Sequence, residues 1–210
     1  MSDKSWASTQ HENDGLTKYG GRDLMGYGEQ SRPPKWKHRA KVALNFVINY
    51  EEGAEKCVLH GDRESEHLLS DSIGAQPREG ERNLTIESMY EYGSRAGFWR
   101  LHRMFTKKKI PCTVFACGMA LERNPQVCLT LKEEINKTKE EGAWEVASHG
   151  YRWIDYQHVD EETEMKHIER TIEIHERLLG KKPVGLYQGK VCVCLLPLVL
   201  FSLPHKECLS

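Results

Sequence analysis

The sequence predicts an α/β fold built from parallel strand–helix units. Three observations carry this: an alternating apolar run at residues 41–50, two short apolar runs at PCTVFACG and WEVAS, and helical periods between and after them. Strands that alternate with helices of this length join in parallel, because a parallel neighbour is reached only through a crossover. On the residues alone, a doubly wound sheet and a barrel both satisfy the order β, α, β, α, β.

Residues 1–18 are polar and without periodicity, and read as disordered. Tyr19 to Arg39 are loaded with Gly and Pro and read as loop, with Tyr27 and Trp36 as surface anchors. In KVALNFVINY, Val42, Leu44, Phe46 and Ile48 fall on one face of a strand that ends in Glu-Glu-Gly. Residues 55–81 are polar and too long for a simple turn, which predicts a functional loop or lid with a short helix. TIESMYEYGSRAGFWRLHRMFTKKK predicts one helix with Met89, Tyr92, Ala96, Trp99 and Met104 on a face; Gly93 and Gly97 inside it imply a close backbone approach to a neighbour or substrate. PCTVFACG follows as a buried strand, then a helix capped by Asn124 with Pro125 in its first position, then the strand WEVAS. Asp160 caps a last helix with Met165, Ile168, Ile172, His175 and Leu179 as its stripe, stopped by Gly180.

Composition narrows the function classes. A chain of 210 residues with 39% hydrophobic content supports a full core, and 30 Lys+Arg against 31 Asp+Glu give a net charge of -1, with no global field for nucleic acid or an anionic membrane. The polar start lacks the charged and apolar regions of a signal peptide, so the cytoplasm is the expected compartment. Seven cysteines show no paired zinc spacing and read as reduced thiols, with Cys112 and Cys117 as small buried hydrophobes.

In parallel strand–helix folds, sites collect where strands end. Two strand ends carry chemistry: Glu51 and Glu52 in NYEEG, and His149 in SHGYRW. Adjacent carboxylates repel, and one that is partly buried titrates upward into the range of a general base. Each motif also has a bland reading, a solvated loop for the acids and a structural role for the histidine.

A strand ending in two acids and Gly, followed later by a strand ending in Ser-His, resembles the polysaccharide deacetylase (NodB-homology) superfamily. The runs GRDLMGYG, ALNFVINYEEGAEKCVLHGD, ERNLTIESMYEYGSRAGFWRL, PCTVFACGMALERNPQV and SHGYRWIDYQ are similar to its allantoinase-like, metal-independent branch. The resemblance implies a partial NodB-type domain over residues 19–190: an incomplete (β/α) barrel missing its C-terminal strands, which would expose a strand edge. It departs at Leu186 and Lys190, where the branch commonly has an aromatic residue and Arg. Residues 191–210 read as an unrelated apolar tail, too short in its apolar part for a membrane span.

The resemblance also implies roles. Glu51 takes the base position, Glu52 the metal-acid position, and His149 the first histidine of the metal motif. Trp153 occupies the second histidine position, and an indole has no in-plane lone pair for a metal, so no catalytic zinc and no other cofactor are expected. The expected activity is hydrolysis of a non-peptide carbon–nitrogen bond, the opening of a cyclic amide such as allantoin. Glu51 or Glu52 would deprotonate water, His149 would move a proton or hold the oxyanion, and Arg95, Tyr151 and Trp153 would position the ring. Arg95 also reads as a helix-surface charge and Trp153 as core; Tyr90, Tyr92 and Trp99 read as core, and His60, His67 and His158 as loop residues. Two alternatives stand beside this: a metal-dependent de-N-acetylase of chitin or another amino sugar, and an inactive fragment that binds full-length subunits. The complete family member is expected to form homo-oligomers.

Overall fold

The computed structural model describes residue 29 and residues 35–190. The disorder expected of residues 1–18, the anchor Tyr27 and the tail 191–210 lie outside the described residues. Lys35 to Ala43 form one unit, exposed throughout, whose only regular element is a 3-10 turn at Lys37–Arg39. Trp36 is exposed there.

In the second unit, from Leu44, three parallel strands form a sheet in the order β1 (Val47–Tyr50), β2 (Thr113–Ala116), β3 (Glu145–Ser148). The helices are α1 (Leu84–Tyr92), α2 (Phe98–Lys107), α3 (Gly118–Arg123), α4 (Pro125–Glu134) and α5 (Glu161–Leu179). This is the parallel α/β architecture that the sequence predicts. Among the described residues β1 and β3 are the sheet's edges, with a single bridge from Ser148 to Leu186 beyond β3. An open sheet of this kind is compatible with part of a barrel.

The helix ends form where the sequence places them. Asn124 Oδ1 accepts from Val127 N with Pro125 in the first helical position, and Asp160 Oδ1 accepts from Thr163 N at 2.8 Å. Gly180 closes α5 in the left-handed region at φ 78°. The core joins Ile48, Tyr50, Val114, Ala116 and Val146 of the sheet to Leu121, Leu131, Ile174 and Leu179 of the helices.

Three expectations are corrected. The strand read over 41–50 is regular only from Val47, because its partner β2 begins at Thr113 opposite Val47; Val42 and Leu44 are 68% and 82% exposed. The single helix expected over 85–109 is divided by a π-helical segment at Gly93–Gly97. Its wider turn shifts the register, so Ile86, Phe98 and Phe105 are buried while Tyr92 and Met104 are exposed. On α5 the buried stripe runs through Glu164, Thr171, Ile174, His175 and Leu179 rather than through Met165, Ile168 and Ile172.

The segment 55–81 carries one 3-10 turn, Val58–His60, and is tied down by Arg152, whose guanidinium donates to both Asp62 oxygens at 2.9 and 2.6 Å. The four cysteines among the described residues, Cys57, Cys112, Cys117 and Cys128, are free and buried. No helix among the described residues is long and apolar enough to cross a membrane.

Candidate active site

Strand register builds the site. Val47 pairs with Thr113 and Thr113 with Glu145, so the three strands end level at Tyr50, Ala116 and Ser148. The next residues, Glu51, Cys117 and His149, emerge in one row. The ladder extends one step: Cys117 N donates to the Tyr50 carbonyl and His149 N to the Ala116 carbonyl, each at 3.0 Å.

After β1 the chain reverses at once. Ala54 N donates to the Glu51 carbonyl at 2.8 Å, with Gly53 at φ 95° in the third position, as a type II turn requires. Glu-Glu-Gly is therefore a turn sequence as well as a chemical one. The turn leaves Glu51 Oε1 2.9 Å from His149 Nε2, while Glu52 Oε2 accepts from Glu51 N at 3.1 Å.

His149 is buried, and its Nδ1 lies 2.5 Å from the Tyr187 carbonyl oxygen. A carbonyl only accepts, so Nδ1 carries a proton. The contact with Glu51 then needs a second proton, shared between the carboxyl oxygen and Nε2. Glu52 differs: burial pushes its carboxyl up to about 7, against the pull of backbone amides, with the nearby Glu51 and Glu55 adding repulsion.

Glu51, Glu52, Tyr90 and Trp153 line a cavity of about 210 Å³, completed by Met89 and by Leu69, Ser70 and Asp71 of the 55–81 segment. That segment forms a wall of the site. Glu52 and Tyr90 also line a second cavity of about 250 Å³ that holds Glu55, His60 and Arg123. The expected close approach at Gly93 is present: a Cβ there would overlap the Glu52 carboxylate, whereas Gly97 meets only Tyr92 of its own helix.

Of the residues singled out in the sequence, Glu51, Glu52, His149 and Trp153 come together. Arg95 and Tyr151 do not. Arg95 sits on the π segment, largely exposed, and pairs with Glu91 at 3.1 Å, a consequence of the register shift. Tyr151 packs between α3 and α5 beside Gly118 and His167, its hydroxyl 3.4 Å from Glu122 Oε2. Tyr92 is exposed, its hydroxyl accepting from Arg100, and Trp99 packs on Phe98. His60 lines the second cavity, His67 is half-buried beside Glu66, and His158 is exposed.

Sequence reasoning missed three features. Tyr90, read as core, faces both cavities, and burial together with Glu66, Glu55, Glu51 and Glu52 pushes its phenol upward. Lys190 Nζ pairs with the buried Glu66 at 2.8 Å and lies 3.7 Å from the centre of the Trp153 ring. Burial raises the Glu66 carboxyl, but Lys190 and the amides of Leu68 and His67 outweigh it and hold it below its usual range. Tyr187 stacks on His149 with ring centres 5.3 Å apart. Of these, only Tyr90 carried a signal in the sequence, its place one helical turn before Gly93, and that spacing alone does not separate a cavity wall from core.

The comparisons with known proteins agree with this geometry. A family model for polysaccharide deacetylase matches residues 78–188. The chain belongs to the polysaccharide deacetylase family. A Schizosaccharomyces pombe protein whose name assigns it to the polysaccharide deacetylases is 40% identical over 176 residues, covering 82% of this chain and 52% of that protein. Among solved structures, Puue allantoinase is 46% identical with a TM-score of 0.75, covering 86% of this chain and 57% of that one. A Pseudomonas aeruginosa PAO1 protein solved under the name of polysaccharide deacetylase is 48% identical, also with a TM-score of 0.75 and the same coverage. The chain thus spans about half the length of the curated relative it matches.

The residues present do not fit the family's metal motif. His149 Nε2 is engaged by Glu51, and the second histidine position holds the indole of Trp153. Among the described residues, no group of three or more His, Cys, Asp or Glu is arranged to hold a metal ion.

Proposed function

We propose that this member of the family hydrolyses a carbon–nitrogen bond in a cyclic amide of the allantoin type, with Glu52 as general base and the Glu51–His149 pair as proton donor. One observation carries the reading. A carboxyl pushed up to about 7 stands next to a carboxyl–imidazole pair that holds a shared proton, and both carboxyls face one small cavity. Neighbouring groups with unequal proton affinity are what acid–base catalysis needs.

In this mechanism the Glu52 carboxylate takes a proton from water as the water oxygen bonds to the ring carbonyl carbon. The tetrahedral intermediate collapses, the carbon–nitrogen bond breaks, and the ring nitrogen leaves with the proton supplied through Glu51 from the pair shared with His149. The proton on Glu52 returns to that pair and resets the site. Trp153 and Tyr90 offer flat apolar walls to a planar ring. A volume of about 210 Å³ is below the ~300–1,000 Å³ of drug-sized pockets and suits a single small ring better than a sugar chain. The likeness to Puue allantoinase supports the same substrate class.

The test is turnover of allantoin by the purified chain, with and without chelator. The expected result is ureide product formed at an unchanged rate in EDTA. Absence of allantoin turnover, together with zinc-dependent acetate release from chitin oligomers, would overturn the proposal in favour of a metal-dependent de-N-acetylase.

A further inference from the structure

Four consecutive residues just beyond the β3 edge each press on a different part of the site. The segment is anchored to the strand: Ser148 N donates to the Gly185 carbonyl at 2.8 Å and Tyr187 N to the Ser148 carbonyl at 2.9 Å. From there the Tyr187 carbonyl takes the His149 Nδ1 proton at 2.5 Å, and its ring lies 4° from parallel with the imidazole and 4.8 Å from the Phe115 ring. Gln188 fills the space beside Gly150, where a Cβ would stand 3.0 Å from its Oε1. Gly189 is in contact with both rings, since a Cβ on it would lie 2.8 Å from His149 Cε1 and 3.0 Å from Trp153 Nε1. Lys190 ends the segment over the Trp153 ring, paired with Glu66 of the cavity-wall segment.

Imidazole has two neutral tautomers and two ring flips, and only one combination serves the pair with Glu51. The proton must sit on Nδ1, so that Nε2 is the nitrogen that exchanges a proton with the carboxyl. A carbonyl on Nδ1 selects that tautomer, and a stacked ring opposes rotation. A misplacement of about 1 Å in such a site costs up to ~10²-fold in rate.

We propose that Tyr187–Lys190 is a positioning clamp: it fixes His149 as the Nδ1-protonated ring facing Glu51 and holds Trp153 against the cavity. Tyr187, Gly189 and Lys190 are positioning residues. The inference rests on the reading of Glu51 and His149 as the proton-handling pair and deepens it.

The decisive measurement is NMR of the full chain labelled with 15N-histidine, the His149 signals assigned by their loss in His149→Gln. The wild type is expected to show His149 protonated at Nδ1, with a slowly exchanging ring proton. Gly189→Ala and Tyr187→Ala are expected to shift the Nδ1 and Nε2 signals toward tautomer averaging and speed that exchange at least ~10-fold, whereas Tyr187→Phe, which keeps the stack, retains the wild-type pattern. Lys190→Met is expected to change Trp153 fluorescence, and Lys190→Arg to restore it. In allantoin turnover the two alanine variants are expected to lose kcat ~10- to 100-fold with little change in KM. Wild-type His149 signals in both alanine variants, each shown to be folded by circular dichroism, would overturn the clamp; so would a wild-type His149 protonated only at Nε2. Should Gly189→Ala fail to fold, Tyr187→Ala alone decides. Absence of allantoin turnover with the NMR pattern intact would sink the function and leave the clamp standing.

Discussion

At the scale of single residues, Glu52 is the most consequential side chain. Its carboxyl is raised from the ordinary range to about 7, chiefly by burial. A raised folded pKa stabilises the fold fully below the unfolded value and loses that contribution as pH rises through the folded value. Between about pH 4.5 and 7 the ionising carboxylate therefore costs about 2–3 kcal/mol of stability. Glu52→Gln is expected to remove that fall: in urea titrations, its stability relative to wild type increases by about this amount from pH 4 to pH 8. The same substitution is expected to lower kcat by ~10²-fold or more and to abolish a rise in kcat/KM centred near pH 7. A wild-type rate in Glu52→Gln would assign the base elsewhere. Gly93 makes this arrangement possible, because any side chain there would occupy the carboxylate's space.

The elements show how pattern and packing divide the work. Helix α5 has its cap and its left-handed stop where the sequence puts them, yet its buried stripe includes His175, fully enclosed, with burial lowering its imidazole to about 4. A depressed histidine favours the fold above the unfolded pKa, near 6.5, and withdraws that stability as pH falls toward 4. Replacing His175 with Leu is expected to flatten this loss, moving the acid-unfolding midpoint measured by circular dichroism downward by about half a pH unit or more. An unchanged midpoint would show that acid unfolding starts elsewhere. The π segment between α1 and α2 makes the opposite point: its two glycines were visible, but the one-residue change in winding that they permit was not, and so Arg95 was aimed at the site when it faces solvent.

At the scale of the whole molecule, charge and edges act together. Leu44, Phe46 and Val47 are exposed beside β1, which has no strand partner on its outer side among the described residues. With a net charge of -1 and an isoelectric point near 6.8, little repulsion opposes edge-to-edge association at neutral pH. Static light scattering is expected to show greatest association near pH 6.8 and a marked decrease in Phe46→Lys and Val47→Lys. Equal scattering by wild type and both variants would clear the edge of that role.

By itself the sequence determined the class of fold, the parallel order, the caps of α4 and α5, and the strand ends that carry Glu51, Glu52 and His149. These follow from local periodicity, turn chemistry and caps, which are encoded within a few neighbouring residues. Only the tertiary structure decided that Glu51 meets His149, that Gly93 makes room for Glu52, that Tyr90 and the 55–81 segment wall the cavity, and that Tyr151 points away from it. Those relations depend on strand register and on one extra residue in a helical turn, and each joins residues far apart in the chain. A one-residue change in either redirects every side chain that follows, and no local pattern records it.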